Sequence, residues 1–322
     1  MNRLTSSAAC RGALVAALLA LAWQAGSAGT LRERWAERLA ARGQAEMLEA
    51  DAAASAALDL PRGVRLVADL AYGLQAEQRF DVYRPLRARS APVIFMVHGG
   101  GWKRGDKAHA TFVQNKVQRW TELGFVVIST NYRLLPGTPP DEQARDVARA
   151  VALAQRRAEE WGGDRNKFIL LGHSAGAHLV GMLASSPALA QRHGVNAWLG
   201  SVLLDSAALD VVTLMQGPHF PLHDDAFGAD PAYWPGVSPY HLLQQKAAPL
   251  LMVCSIPRQT SCDEARRFAA RASLLGSVAE VEPEALSHRE INELLGLEPG
   301  YTGRVERFLA TLDPVVAHLL GR

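Results

Sequence analysis

The chain has 322 residues, 48% of them hydrophobic, which is enough to bury one large core or two modest ones. Its formal net charge of +2 comes from 34 basic and 32 acidic residues, mixed and without a basic tract or aromatic-basic repeat, so nucleic acid is not an expected partner. Three cysteines cannot assemble a zinc site, and no cofactor-binding or metal-binding residue is expected.

At the N-terminus, Arg3 and Arg11 precede an unbroken apolar run from Ala13 to Trp23, and small residues follow at Ala25-Gly26-Ser27-Ala28. This order predicts a secretory signal peptide over residues 1–28, and hence an exported protein, periplasmic or secreted. The apolar run is too short to span a bilayer comfortably, so no stable membrane insertion is expected after processing. The competing reading is an envelope protein retained by that run. In an oxidising compartment Cys254 and Cys262 are expected to form a disulfide, the alternative being two unpaired thiols. Residues 29–62 are rich in Ala, Arg and Glu from Leu31 to Leu60 and read as one or two helices, part of a cap.

The main domain is expected over residues 63–322. Val64 to Leu70 and Arg79 to Tyr83 alternate apolar and polar residues on either side of Gly73, which predicts a hairpin at a sheet edge. Pro92 to Val97 is continuously apolar, as a central strand covered on both faces would be. Helix over Ala110 to Leu123, strand over Phe125 to Ser129 and a long helix opened by Pro139-Pro140-Asp141 follow, the last ended by Gly162-Gly163-Asp164. Further strands are expected at Phe168 to Leu171, Ser201 to Leu204, Pro249 to Val253 and Val278 to Val281. Helices are expected at Glu264 to Leu275 and Arg304 to Leu320. Val211 to Ala248 is crowded with Pro, His and aromatics and reads as an irregular insertion roofing the site. Alternating strands and helices predict an α/β domain, a mostly parallel central sheet with helices on both faces. Its reactive residues belong at the carboxyl ends of the strands.

Chemistry concentrates in Gly172-His173-Ser174-Ala175-Gly176, set between an apolar strand and a helix-like run. A serine on such a strained strand-turn-helix junction is lifted above the sheet with a helix N-terminus behind it. A serine hydroxyl needs a base, an orienting acid and donors for the oxyanion. His98-Gly99-Gly100-Gly101, at a strand end, offers the bare N–H groups of Gly100 and Gly101, which Ala175 N–H would complete. His288 is expected in the loop after the last strand, where the base of a Ser, acid, His order belongs. His98 and His173 read as loop-holding residues, and His219 and His223 as surface or lid residues. The acid is the open assignment, because Ser255 to Ser261, after the penultimate strand, holds no carboxylate. Asp205, at the end of the preceding strand, is the first candidate; Asp263, an N-cap by position, and Asp210 follow.

Together these residues resemble the α/β-hydrolase superfamily, and more narrowly its bacterial carboxylesterase group, related to hormone-sensitive-lipase-type esterases and kynurenine formamidases. The resemblance runs from about Ala71 to Leu320. It rests on Ala71-Tyr72-Gly73, Phe80-Asp81-Val82-Tyr83-Arg84-Pro85, His98-Gly99-Gly100-Gly101-Trp102, Asn131-Tyr132-Arg133-Leu134, the serine turn, and Ser287-His288-Arg289-Glu290-Ile291-Asn292. It implies the α/β-hydrolase fold with a small cap, Ser174 as nucleophile, His288 as base and the glycine run as oxyanion pocket. Some lipases of the superfamily carry the acid one strand early, as Asp205 would here. The implied activity is hydrolysis of a small-molecule ester, small or aryl. The alternatives are an amidase or formamidase and a catalytically inactive, binding-only hydrolase fold.

Overall fold

A computed structural model describes residues 58–206 and 208–322. The expected signal peptide at 1–28 and the helical segment as far as residue 57, with its share of the cap, lie outside the described residues. Leu58 to Leu60, at the end of that segment, are not helical, and Asp59 is tied by its backbone to the Gln114 side chain.

Among the described residues eight strands form one sheet, in the order β1-β2-β4-β3-β5-β6-β7-β8. β1 (Val64–Ala71) and β2 (Arg79–Pro85) make the predicted antiparallel hairpin at the edge, and β2 is also antiparallel to β4 (Val126–Thr130). β3 (Ala91–Val97), β4, β5 (Gly163–His173), β6 (Gly200–Leu204), β7 (Leu250–Ser255) and β8 (Ala279–Glu284) run parallel. Every residue of β3, β4, β6 and β7 is buried, as their unbroken apolar runs require.

The strand period of two divides the core between the faces. Val93, Phe95 and Val97 point to the side covered by α2 (Pro140–Arg157), α3 (Ala175–Ser185) and α8 (Gln259–Leu274), and Ile94 and Met96 to the other. That second side is covered by Phe112, Val113, Val117 and Trp120 of α1 (Ala110–Glu122) and by Tyr301, Val305 and Phe308 of α10 (Pro299–Ala310). Between α3 and β6 lies the short α4 (Pro187–Arg192).

Several boundaries differ from expectation, among them that of β5, which begins at Gly163 and not at Phe168. The insertion after β6 is ordered into α5 (Val211–Gln216), α6 (Pro221–Phe227), a tight turn at Trp234–Val237 and α7 (Pro239–Leu242). Its Phe227, Trp234 and Val237 pack into the main core, which orders the segment despite its prolines. α8 starts at Gln259, not Glu264, so Asp263 is not an N-cap; it lies inside the helix. His288 opens a helix of its own, α9 (His288–Glu293), where a loop was expected. The last helix is two, α10 and α11 (Pro314–Leu319), because Pro314 cannot continue a helix and Asp313 caps the next one through Val315 and Val316 N–H.

Candidate active site

β5 ends at His173 and α3 begins at Ala175, which leaves Ser174 alone in the bend with φ 55° and ψ −119°. A non-glycine residue held there costs on the order of 1–3 kcal/mol and needs surroundings that fix it. The Ser174 N–H donates to Leu204 O (2.9 Å), and its carbonyl accepts from His178 N–H (3.1 Å). Both flanking glycines are obligatory: a Cβ on Gly172 would sit 2.3 Å from Gly176 O, and one on Gly176 2.2 Å from Val97 O. Such contact of backbone on backbone leaves no room for any side chain.

Asp205 terminates β6, one residue beyond Leu204, and only 1% of it is exposed. Its Oδ2 accepts from His288 Nδ1 at 2.6 Å and pairs with Arg258; its Oδ1 accepts from Ser255 N–H (2.8 Å) and from the Ser261 hydroxyl. Burial alone would push the carboxyl pKa up, but the His288 hydrogen bond, the Arg258 charge and Ser261 hold it well below the usual range. Ser255, Arg258 and Ser261 lie on the segment from the end of β7 to the start of α8 that the Cys254–Cys262 disulfide spans.

His288 starts α9 behind a capping box in which Ser287 accepts from Glu290 N–H and the Glu290 carboxylate accepts from Ser287 N–H. Burial and the Arg258 charge lower its pKa, against Asp205, which raises it. With Nδ1–H donating to Asp205, Nε2 is the basic nitrogen, and among the described residues it is buried without a hydrogen-bond partner. The His173 ring packs against the His288 ring at 4.5 Å between centroids, and His173 Nε2 donates to the His288 carbonyl (3.0 Å). The imidazole of His288 is thus locked to the residue preceding Ser174. His288 Nε2 and the Ser174 hydroxyl are not hydrogen-bonded to each other.

The glycine run after β3 turns sharply, with φ of 103° at Gly100, 58° at Gly101 and 60° at Trp102. A Cβ on Gly99 would lie 3.0 Å from Ser174 Cβ, so this loop is seated directly against the serine bend. The N–H groups of Gly100, Gly101 and Ala175 make no backbone hydrogen bond among the described residues, leaving three donors around one bend. The loop is held by His98, whose Nδ1 contacts Gly99 O at 2.8 Å and whose ring stacks on Tyr132. Trp102 Nε1 donates to His178 Nδ1 (3.1 Å), which leaves His178 Nε2–H to donate to Val237 O (2.7 Å) and pin the cap.

The other candidates fall elsewhere. Asp263 is exposed and pairs with Arg266 at 3.1 Å; Asp210 caps α5, accepting from Thr213 N–H and Oγ1. His219 contacts Asp224, while His223 is buried among Phe220, Phe227 and Trp102. Among the described residues no group of His, Cys, Asp and Glu is arranged to hold a metal ion. Sequence reasoning missed Ser255, Arg258 and Ser261 as the cradle of the acid. The available signal was a loop without carboxylates yet rich in donors.

A family model described as BD-FAE matches residues 80–207, which include the glycine run, the serine bend and Asp205. In three dimensions the chain is similar to esterase B from Lactobacillus rhamnosis, with TM-score 0.68 and 18% identity over 89% of this chain and 97% of that one. It is likewise similar to esterase 2 of Thermogutta terrifontis, with TM-score 0.63 and 20% identity over 78% of this chain and 96% of that one. The fold is that of the α/β-hydrolases. In sequence the chain is 34% identical to esterase LipC of Mycobacterium tuberculosis over 121 residues, 36% of this chain and 30% of LipC. It is 31% identical over 112 residues to the probable isoprenylcysteine alpha-carbonyl methylesterase ICMEL1 of Arabidopsis thaliana, 34% of this chain and 23% of that protein. The chain therefore spans less than a third of the length of either sequence relative.

Proposed function

We propose that the protein is a serine hydrolase of carboxylic esters that works through an acyl-enzyme. The observation that carries this reading is the buried Asp205–His288 hydrogen bond of 2.6 Å at the same sheet rim as the serine bend. Ser174 attacks the ester carbonyl as His288 Nε2 takes its proton, and Asp205 stabilises the imidazolium that forms. The tetrahedral oxyanion rests on the N–H groups of Gly100, Gly101 and Ala175. His288 returns the proton to the leaving alcohol, and water, activated by the same imidazole, releases the acid and restores Ser174.

The relatives support an ester over an amide or formamide, since those named above are esterases. A small or aryl ester suits the ring cluster beside the glycine run, where Trp102 meets Phe227 at 4.9 Å and His223 at 6.0 Å. The test is a series of p-nitrophenyl esters of increasing acyl length beside an N-formyl arylamine. Hydrolysis of acetate or butyrate well ahead of the formamide supports the reading, and preference for the formamide overturns it.

Export to the periplasm or the exterior belongs to the same proposal. It is supported by the order of basic, apolar and small residues over 1–28 and by the pairing of Cys254 with Cys262. Among the described residues no helix is long and apolar enough to cross a membrane. Mass spectrometry of the N-terminus of exported material would test it, with Gly29 as the expected first residue.

A further inference from the structure

Where a triad acid is expected after β7, this chain brings a cation. Arg258 Nη1 pairs with Asp205 Oδ2, lies 3.5 Å from the Asp205 carbonyl oxygen, and approaches His288 Nδ1 to 2.6 Å. The guanidinium side chain is 22% exposed, and its loop is fixed at both ends by Cys254 and Cys262. A guanidinium is always charged and can only donate. Nδ1 has one site: it donates its proton to Asp205, or it accepts from Arg258 with the proton moved to Nε2. Only the first form leaves Nε2 able to take a proton from Ser174. The doubly protonated ring would set two cations in contact inside a buried pocket.

We propose that Arg258 is a positioning residue of this site, holding the Asp205 carboxylate in place while its charge opposes protonation of His288, so that the base survives into more acidic solution. The proposal rests on the serine-hydrolase reading for its consequence in rate. The other groups around the imidazole do not replace this cation. Asp205, from β6, acts in the opposite sense, and burial keeps His173, from β5, neutral. Lys116 of α1 is spent on the backbone and side chain of Asn292, at the far end of α9. Tyr301 of α10 donates to Ile291 O, and Glu284 of β8 is paired with Arg304. On α9 itself Glu290 is engaged by Ser287, and Arg289 pairs with Glu293 at the surface. The electrostatic consequences of removing Arg258 share one sign: less positive charge, a less neutralised Asp205 and easier entry of water each favour the imidazolium. A carboxylate that drifted from Nδ1 would act the other way, but Ser255 N–H and the Ser261 hydroxyl still hold its Oδ1.

The test compares the full-length wild type with Arg258→Met, Arg258→Gln and Arg258→Lys. The measurements are kcat/KM against pH on p-nitrophenyl butyrate and the titration of the His288 imidazole by NMR. The acidic limb of the rate profile and the NMR midpoint are expected to rise by about one pH unit or more in Met and Gln. Lys, which keeps the charge but not the fork, is expected to restore most of that shift. An unmoved or lowered midpoint in a variant that melts like the wild type overturns the proposal. So does a Lys variant that behaves like Met, which would assign Arg258 a packing role only. If the wild type hydrolyses no ester, the serine-hydrolase reading falls, and the NMR midpoint still decides whether Arg258 governs the imidazole.

Discussion

Asp205 Oδ2 and His288 Nδ1 meet at 2.6 Å although 83 positions separate them in the chain. The sheet makes this contact: β6 and β7 are neighbours, β7 pairs with β8, and the chain leaving β8 carries His288 back over the end of Asp205's strand. Replacing Asp205 by Asn keeps the shape but stabilises the wrong tautomer, so kcat is expected to fall by roughly 10³- to 10⁴-fold. Asp263→Asn, which removes only a surface pair with Arg266, is expected to change kcat by less than about twofold. The reverse ranking in steady-state kinetics would move the acid to Asp263.

The serine bend depends on two hydrogens in place of two side chains. Gly172→Ala and Gly176→Ala each force a carbon to within 2.3 Å of a backbone oxygen, and neither strand nor helix can withdraw alone. Each is expected to lower stability by about 3 kcal/mol or more, read by urea unfolding. Gly236→Ala, with nothing within 4 Å of the added carbon, should stay within about 0.5 kcal/mol.

Stability should fall on mild acidification. His98 and His178 are buried, and burial lowers each pKa to about 4 from an ordinary value of 6.5. Between those values the unfolded chain binds more protons than the native one, so stability is complete above pH 6.5 and is lost as pH falls towards 4. The slope is about 1.4 kcal/mol per pH unit for each histidine. Urea midpoints at pH 7, 6 and 5 check this, and a flat profile would mean that both rings are already charged or exposed.

Lys116 is a second buried cation with a mechanical part to play. Its Nζ donates to Phe112 O (2.9 Å), Asn292 O (2.5 Å) and Asn292 Oδ1 (3.0 Å), which fastens α1 to the helix that begins with His288. Burial pushes its pKa down to about 7, against the charge of Glu293, which raises it. Lys116→Met strands those oxygens and is expected to cost about 3 kcal/mol in unfolding experiments. A cost below about 1 kcal/mol would show that α9 is held by its apolar contacts alone.

The sheet was legible because its strands are buried on both faces and their apolar runs have no competing period. Ser174, Gly100 and Gly101 were legible because backbone strain and close approach demand particular residues at fixed spacing. The helix of His288 was not, since six residues give too little periodicity, although Ser287 and Glu290 form a capping box in plain view. Asp263 misled because an aspartate just before an expected helix reads as a cap, whereas α8 had already begun at Gln259. The cradle of Asp205 was hidden for a different reason. Ser255, Arg258 and Ser261 become donors to one carboxylate only when β6 and β7 are laid side by side, and no local pattern encodes that pairing.

The proposed reaction turns on an activated hydroxyl at Ser174. Incubation with a fluorophosphonate, followed by peptide mass spectrometry, tests it most directly, with p-nitrophenyl butyrate turnover measured on the same samples. The wild type is expected to carry the label on Ser174 and lose its turnover, and Ser174→Ala to take no label and show no turnover while melting like the wild type. Turnover retained by Ser174→Ala, or a folded wild type that takes no label at Ser174, would contradict the account.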